Sequence, residues 1–194
     1  MENQNLELDY QIAKQKSAKP MLWISMVSMT MMFIGLTSAY IVSSNREDWV
    51  SFNLPPALYI STVLIILSSI TFILAKRAIK KDDRNSATVF LLATLGLGLG
   101  FGYFQLEGFY QLNEAGIFLS GKGSLVSASM LMVISFAHLV HVLAGYIVLL
   151  VVIYNHFKKQ YNAEETLGLE LGSIFWHFVD ILWVFLFLFF YFIT

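Results

Sequence analysis

Two pairs of polar residues interrupt apolar stretches of this sequence and are the first candidates for chemistry. His177 and Asp180 lie three residues apart within the otherwise apolar run 175–192, and His138 and His141 have the same spacing in an earlier run. Residues with this spacing share one face of a helix. An Asp near the middle of a bilayer costs about 2.5–3.5 kcal/mol on insertion scales, so it usually has a partner. We therefore expect Asp180 to pair with the imidazoles of His138 and His141.

Metal or haem ligation is one interpretation of the histidines, because neutral imidazole is the commonest metal ligand. Bis-histidine haem would need an axial ligand on a facing helix, and only His177 is available there. A hydrogen-bonded pair that fixes the packing of His138 and His141 against the last helix explains the same residues more simply. Asp180 either takes part in proton transfer or makes a structural contact between helices. We favour the structural contact because the sequence indicates no substrate cavity.

Large and polar residues flank these pairs. Trp176 and Trp183 provide packing surface on the last helix, and Trp176 is also placed to lie near the membrane interface. Gln105 and Glu107 fall at the predicted outer end of the third helix. Glu107 is either solvated there or makes a buried polar contact with a neighbouring helix, and solvation is the favoured reading.

Four alternating glycines, at positions 96, 98, 100 and 102, lie within the third apolar run. A nucleotide-binding loop would need a preceding strand, which the pattern does not provide. Pairs of small residues four apart let a neighbouring helix approach closely. We therefore predict helix packing for Gly96/Gly100 and Gly98/Gly102.

The composition is that of a membrane protein. Hydrophobic residues make up 57% of the 194 residues, charged residues make up 13%, and the mean hydropathy is +0.68. The chain has no cysteine, which excludes disulfides, iron–sulfur clusters and covalently attached haem and makes a zinc site improbable. The net charge of −1 and the scattered basic residues indicate no nucleic-acid partner.

The apolar runs predict an all-α membrane protein, a bundle of five transmembrane helices, since each run has the ~20 residues that a bilayer core requires. Residues 1–20 are polar and form a predicted cytoplasmic N-terminal tail without a cleaved signal peptide, so the first helix would act as its own insertion signal. Residues 21–194 form a single membrane domain, and Pro20 would lie at the start of its first helix. The predicted helices cover about 21–43, 56–75, 86–106, 124–154 and 171–193.

The basic residues predict the orientation. Ten of the twelve lie in the N-terminal tail and in the loops after the second and fourth helices, against only Arg46 and Lys122 on the other side. The positive-inside rule therefore places the N-terminus in the cytoplasm and the C-terminus outside. The ten are Lys14, Lys16, Lys19, Lys76, Arg77, Lys80, Lys81, Arg84, Lys158 and Lys159.

Taken together, these patterns resemble subunit III of the haem-copper respiratory oxidases, the cytochrome c oxidase family. Residues 176–183 read Trp-His-Phe-Val-Asp-Ile-Leu-Trp and match the family's last-helix pattern, and Glu170 occupies the family's Glu position six residues before Trp176. Residues 137–145 match its penultimate helix, with Ala137 in place of Phe. Ser38-Ala39-Tyr40 and Asn53-Leu54-Pro55 are similar to further family segments. The resemblance covers about residues 21–194.

This resemblance implies a five-helix bacterial form of subunit III, in the cell (inner) membrane as a multi-pass protein. It implies no redox centre and no active site in this chain, with haem and copper in the catalytic subunit I and in subunit II. It also implies bound phospholipid and support for assembly, proton uptake and turnover stability of an oxidase in aerobic electron transport and proton translocation. Two positions depart from the family: Met29 replaces a buried Glu, and Gln105-Leu106-Glu107 is one residue shorter than its Gln-x-x-Glu.

Other functions are open alternatives. The chain could be subunit III of a quinol oxidase or an accessory subunit of a nitric oxide reductase, because the electron donor docks on other subunits. A stand-alone transporter or proton channel would use His138, His141, His177 and Asp180 as a relay, and discontinuous helices or internal repeats would distinguish it. A membrane cytochrome would show a haem spectrum in the isolated chain.

Overall fold

Five helices make up the fold. The computed structural model describes residues 2–47, 49–50, 52–116, 125–159, 161 and 167–193, with side chains from residue 16 onward. Within these ranges the chain forms no strand, and all five helices contain a segment long and apolar enough to cross a membrane, which confirms the predicted class of fold. The helices are α1 Glu2–Ser43, α2 Pro56–Lys80, α3 Arg84–Glu114, α4 Val126–Phe157 and α5 Leu167–Ile193.

The helix ends differ from the prediction because polar residues continue several helices beyond their apolar runs. Helix α1 begins at Glu2, so the expectation that Pro20 opens the first helix is wrong; Pro20 lies inside it. Helix α3 continues to Glu114 rather than ending near Leu106. The predicted start of the fourth helix at residue 124 lies outside the described residues, as does Lys122.

A short turn joins α2 to α3 into an antiparallel hairpin. Asp82 adopts a left-handed conformation with φ 57°, and Asp83 caps α3 by accepting hydrogen bonds from the backbone N–H (3.1 Å) and hydroxyl (2.6 Å) of Ser86. These hydrogen bonds hold the pKa of the Asp83 carboxyl below its usual value. The two helices stay in contact over more residues than any other pair.

Helix α5 lies at the centre of the bundle. Its backbone lies close to α1, α2 and α4, and its side chains Trp176 and Trp183 also reach α3. Of its most apolar window, 56% is buried inside the protein, against 22–39% for the other four helices. The residues that join helices are therefore concentrated along α5.

One end of the bundle, which we call the basic end, gathers Lys16 and Lys19 of α1, the last turns of α2 and α4, and the first turns of α3 and α5. The amine of Lys19 forms an ion pair with the Glu170 carboxylate at 2.9 Å. The Nε2 atom of His156 lies 2.9 Å from the Thr88 hydroxyl. These contacts join α1 to α5 and α3 to α4 at the same end of the bundle.

Candidate functional site

A serine of α2 lies beside the two polar residues of the last helix. The Ser69 hydroxyl lies 2.6 Å from Nδ1 of His177 and close to the buried carboxyl of Asp180. Asp180 is only 4% exposed, and its Oδ2 has no partner among the described residues. The contact between Ser69 and His177 therefore connects α2 to α5 beside the buried Asp180.

Two tryptophans of α5 extend the same helix interface. The indole N–H of Trp176 donates to the Ser68 hydroxyl at 3.1 Å, and that of Trp183 donates to the Thr62 hydroxyl at 3.0 Å. Both rings are buried within the bundle, so Trp176 lies inside the bundle rather than in contact with lipid. Hydroxyl side chains of α2 therefore accept a hydrogen bond from each of the two buried indole N–H groups of α5, whereas Oδ2 of Asp180 has no partner among the described residues.

The Trp176 ring is wedged between glycines of two other helices. A Cβ atom at Gly98 would lie 3.0 Å from Cη2 of Trp176, and one at Gly145 would lie 3.3 Å from its Cε3. Tyr146 donates a 2.6 Å hydrogen bond to the Gly98 carbonyl. The glycines let α3 and α4 close around the indole.

The predicted glycine packing is confirmed for one pair. A Cβ at Gly98 or at Gly102 would come within about 3.0 Å of a neighbouring aromatic side chain. A Cβ at Gly100 would make an ordinary 3.4 Å contact with Leu64, and one at Gly96 would meet nothing within 4 Å. Close approach therefore involves Gly98 and Gly102, not Gly96.

The predicted pairing of Asp180 with the histidines of α4 is wrong. His138 is 1% exposed, and neither of its ring nitrogens has a hydrogen-bond partner among the described residues. Its ring instead packs 5.2 Å from that of Trp183. His141 uses Nδ1 to contact the carbonyl of Ala137 at 2.7 Å, one turn away on its own helix. Asp180 lies close to Ser69 of α2, whereas His138 lies against α5 through aromatic contact.

Gln105 and Glu107 lie within α3 rather than at its end. Gln105 is 1% exposed and donates to the Ser61 hydroxyl of α2 at 3.2 Å. Glu107 is half-buried and accepts a 3.4 Å contact from the amide nitrogen of Gln111 on the same helix. Of the two, Gln105 is the residue that joins helices.

These polar groups make contacts that connect helices. No group of three or more His, Asp or Glu residues in the described part of the chain could hold a metal ion. His177, Trp176 and Trp183 of α5 each make a hydrogen bond to a hydroxyl group of α2. All five spanning segments are continuous helices, without the broken helices that are typical of many secondary transporters.

Sequence reasoning did not identify the α2 residues that complete this interface. Ser61 and Ser68, and likewise Thr62 and Ser69, are spaced seven residues apart, which is two helical turns. A stripe of hydroxyl residues on an otherwise apolar helix indicates a face that meets polar groups of a neighbour. The seven-residue spacing is therefore the feature of the sequence from which this face of α2 could have been predicted.

The fold and these contacts define a multi-pass helical membrane protein whose buried polar residues hold its helices together. The sequence matches the family described as Cytochrome c oxidase subunit III over residues 2–194. The chain belongs to this family and is a subunit III of the haem-copper oxidases.

Individual relatives agree with this assignment. The chain is similar to Cytochrome c oxidase subunit 3 of Thermostichus vulcanus, with 30% identity over 89% of this chain and 86% of the relative. It is 30% identical to that of Corynebacterium diphtheriae over 84% of this chain and 82% of the relative. The Schizophyllum commune protein of the same name is 33% identical over 73% of this chain, but only 50% of that relative is covered.

Proposed function

We propose that this chain is a non-catalytic component of a proton-pumping cytochrome c oxidase, where it supports assembly, proton uptake and turnover stability. The observation that carries this proposal is the family match over residues 2–194, in a chain whose buried polar groups bond to one another across helices. In this proposal the direct partners are the catalytic subunit I and subunit II. Those subunits carry the haem and copper and perform oxygen reduction.

A groove beside α1 supports the proposal that the subunit also holds phospholipid. It has a volume of about 440 Å³ and lies between α1, α4 and α5. Apolar side chains such as Leu22, Met29 and Phe175 line it, while Asn155 and Tyr161 add polar groups. A long apolar groove with a polar rim has the chemistry of an acyl-chain site. Met29 lines this groove at the position where many family members have Glu.

The proposed location is the bacterial cell (inner) membrane, with the basic end in the cytoplasm and the C-terminus outside. Lysine and arginine residues are concentrated in cytoplasmic segments of membrane proteins. The asymmetry of ten basic residues to two supports this orientation.

Comparing the oxidase with and without this chain tests the proposed role. We expect the oxidase lacking the chain to keep its haem and copper content and its initial rate of oxygen reduction, but to lose activity faster during turnover. An oxidase that loses its haem, or that inactivates at an unchanged rate, would contradict the proposed role.

A further inference from the structure

A second cavity, of about 340 Å³, lies at the basic end between α2 and α5. Helix α5 contributes Ser173, Ile174 and His177 to its wall. Helix α2 contributes Ile73 and three cationic residues from its last two turns, Lys76, Arg77 and Lys80. The cavity is distinct from the groove beside α1 and lies on another side of α5.

The charge of this cavity is positive. None of its lining residues is acidic, and none of the described carboxylates forms an ion pair with its three cationic groups. Glu170 of α5 interacts electrostatically with Lys76 and Lys80 but is paired with Lys19 at 2.9 Å. Three cations therefore face a pocket that also offers the Ser173 hydroxyl, which suits a phosphate group.

An exposed apolar track runs from the cavity along α2. Ile66, Ile70 and Ile73 are 43%, 48% and 41% exposed, and their spacing places them on the face of α2 that carries Arg77. On α5, Ile181 is 68% exposed and lies two turns from Ile174 of the cavity wall. A ligand with a phosphate group and long acyl chains would match both the cavity and the track.

We propose that the cavity binds the phosphate group of an anionic phospholipid, with its acyl chains along the isoleucines of α2. Basic pockets between transmembrane helices on the cytoplasmic side are suited to anionic head groups. This inference rests on the proposed orientation, because the basic end must lie at the cytoplasmic leaflet. It does not depend on which oxidase subunits bind the chain.

Native mass spectrometry of the full chain tests the site, with phosphatidylglycerol compared against phosphatidylcholine. The triple variant Lys76→Gln, Arg77→Gln, Lys80→Gln should retain about tenfold less phosphatidylglycerol. The control triple Lys16→Gln, Lys81→Gln, Lys158→Gln removes the same charge from exposed positions outside the cavity and should change retention less than about twofold. Equal losses in both triples would overturn the proposal, since charge alone would then explain binding.

Two further measurements separate the remaining explanations. Arg77→Gln alone should lower retention about threefold or more, so the site can be tested even if the triple variant does not fold. Retention by Arg77→Gln equal to that of the unaltered chain would overturn the proposal. Millimolar inorganic phosphate should displace little phosphatidylglycerol; if phosphate alone competes fully, the site takes free phosphate and the lipid assignment is wrong. Lipid retention is read on the chain itself, so its failure is distinguishable from a failure to co-purify with oxidase subunits.

Discussion

The hydroxyl of Ser69 and Nδ1 of His177 lie 2.6 Å apart across the interface between α2 and α5. The buried carboxyl of Asp180 also lies close to this hydroxyl, so Ser69 lies beside both polar residues of the last helix's central turn. Replacing Ser69 with Ala should lower the free energy of unfolding by about 1–3 kcal/mol, since buried polar groups then lose their partner. Thermal unfolding in detergent measures this. Ser25→Ala, which removes an exposed hydroxyl bonded only within α1, is the matched control, and equal losses would refute the bridging role.

Asp180→Ala should weaken association with the oxidase core or speed inactivation during turnover, while leaving haem and copper content unchanged. The reason is that the carboxyl is buried inside the bundle and does not line the cavity between α2 and α5. Glu114→Ala, at the exposed end of α3, should behave like the unaltered protein. Loss of haem from the Asp180→Ala complex would contradict a purely structural role for this carboxyl.

Gly98→Ala should destabilise the bundle by about 1–3 kcal/mol, because the added methyl group would meet the buried Trp176 ring and the Tyr146 ring at 3.0–3.1 Å. Gly96→Ala should be neutral or slightly stabilising, since its Cβ would meet nothing within 4 Å and alanine favours the helix. Unfolding of the two variants can be compared directly. If Gly96→Ala were the more harmful change, the described approach of Trp176 would be wrong.

A double-mutant cycle can isolate the hydrogen bond between Trp183 and Thr62. Thr62→Val leaves the buried indole N–H unpaired and should cost about 1–3 kcal/mol of unfolding free energy. Trp183→Phe removes the N–H, so adding Thr62→Val to that background should cost distinctly less. Additive costs would show that the 3.0 Å contact does not couple the two residues.

The purified chain should contain no stoichiometric metal. His138 packs against aromatic rings and His141 contacts a backbone carbonyl, so their imidazoles are not directed at a shared ligand position. Elemental analysis of the isolated subunit checks this. One bound metal per chain that is lost in His138→Ala would overturn it.

The spanning helices could be predicted from the sequence because a bilayer requires an apolar run of a particular length. Helix ends could not, because α2 and α3 continue through charged residues such as Lys76, Arg77 and Glu107. Hydropathy indicates which residues can lie in the membrane, not where the backbone hydrogen bonds of a helix end. Pro20 shows the same limit, as it lies inside α1.

The partner of Asp180 was missed for a different reason. Spacing shows which residues share a face of α5, but not which helix that face meets. His138 and His141 were expected there because imidazole is an obvious partner for a carboxylate. The residue that lies beside Asp180 is instead a serine of α2. Ser and Thr are common in membrane helices, so only the seven-residue spacing on α2 could have indicated Ser69 in advance.

Co-purification would show whether this chain functions as part of a haem-copper oxidase. The tagged chain would be isolated in mild detergent, and its optical spectrum and the mass spectra of its partners recorded. We predict haem a or haem o bands together with a large catalytic oxidase subunit, and the accompanying subunits would identify the electron donor. A colourless chain that purifies alone from membranes with an active oxidase would contradict this account.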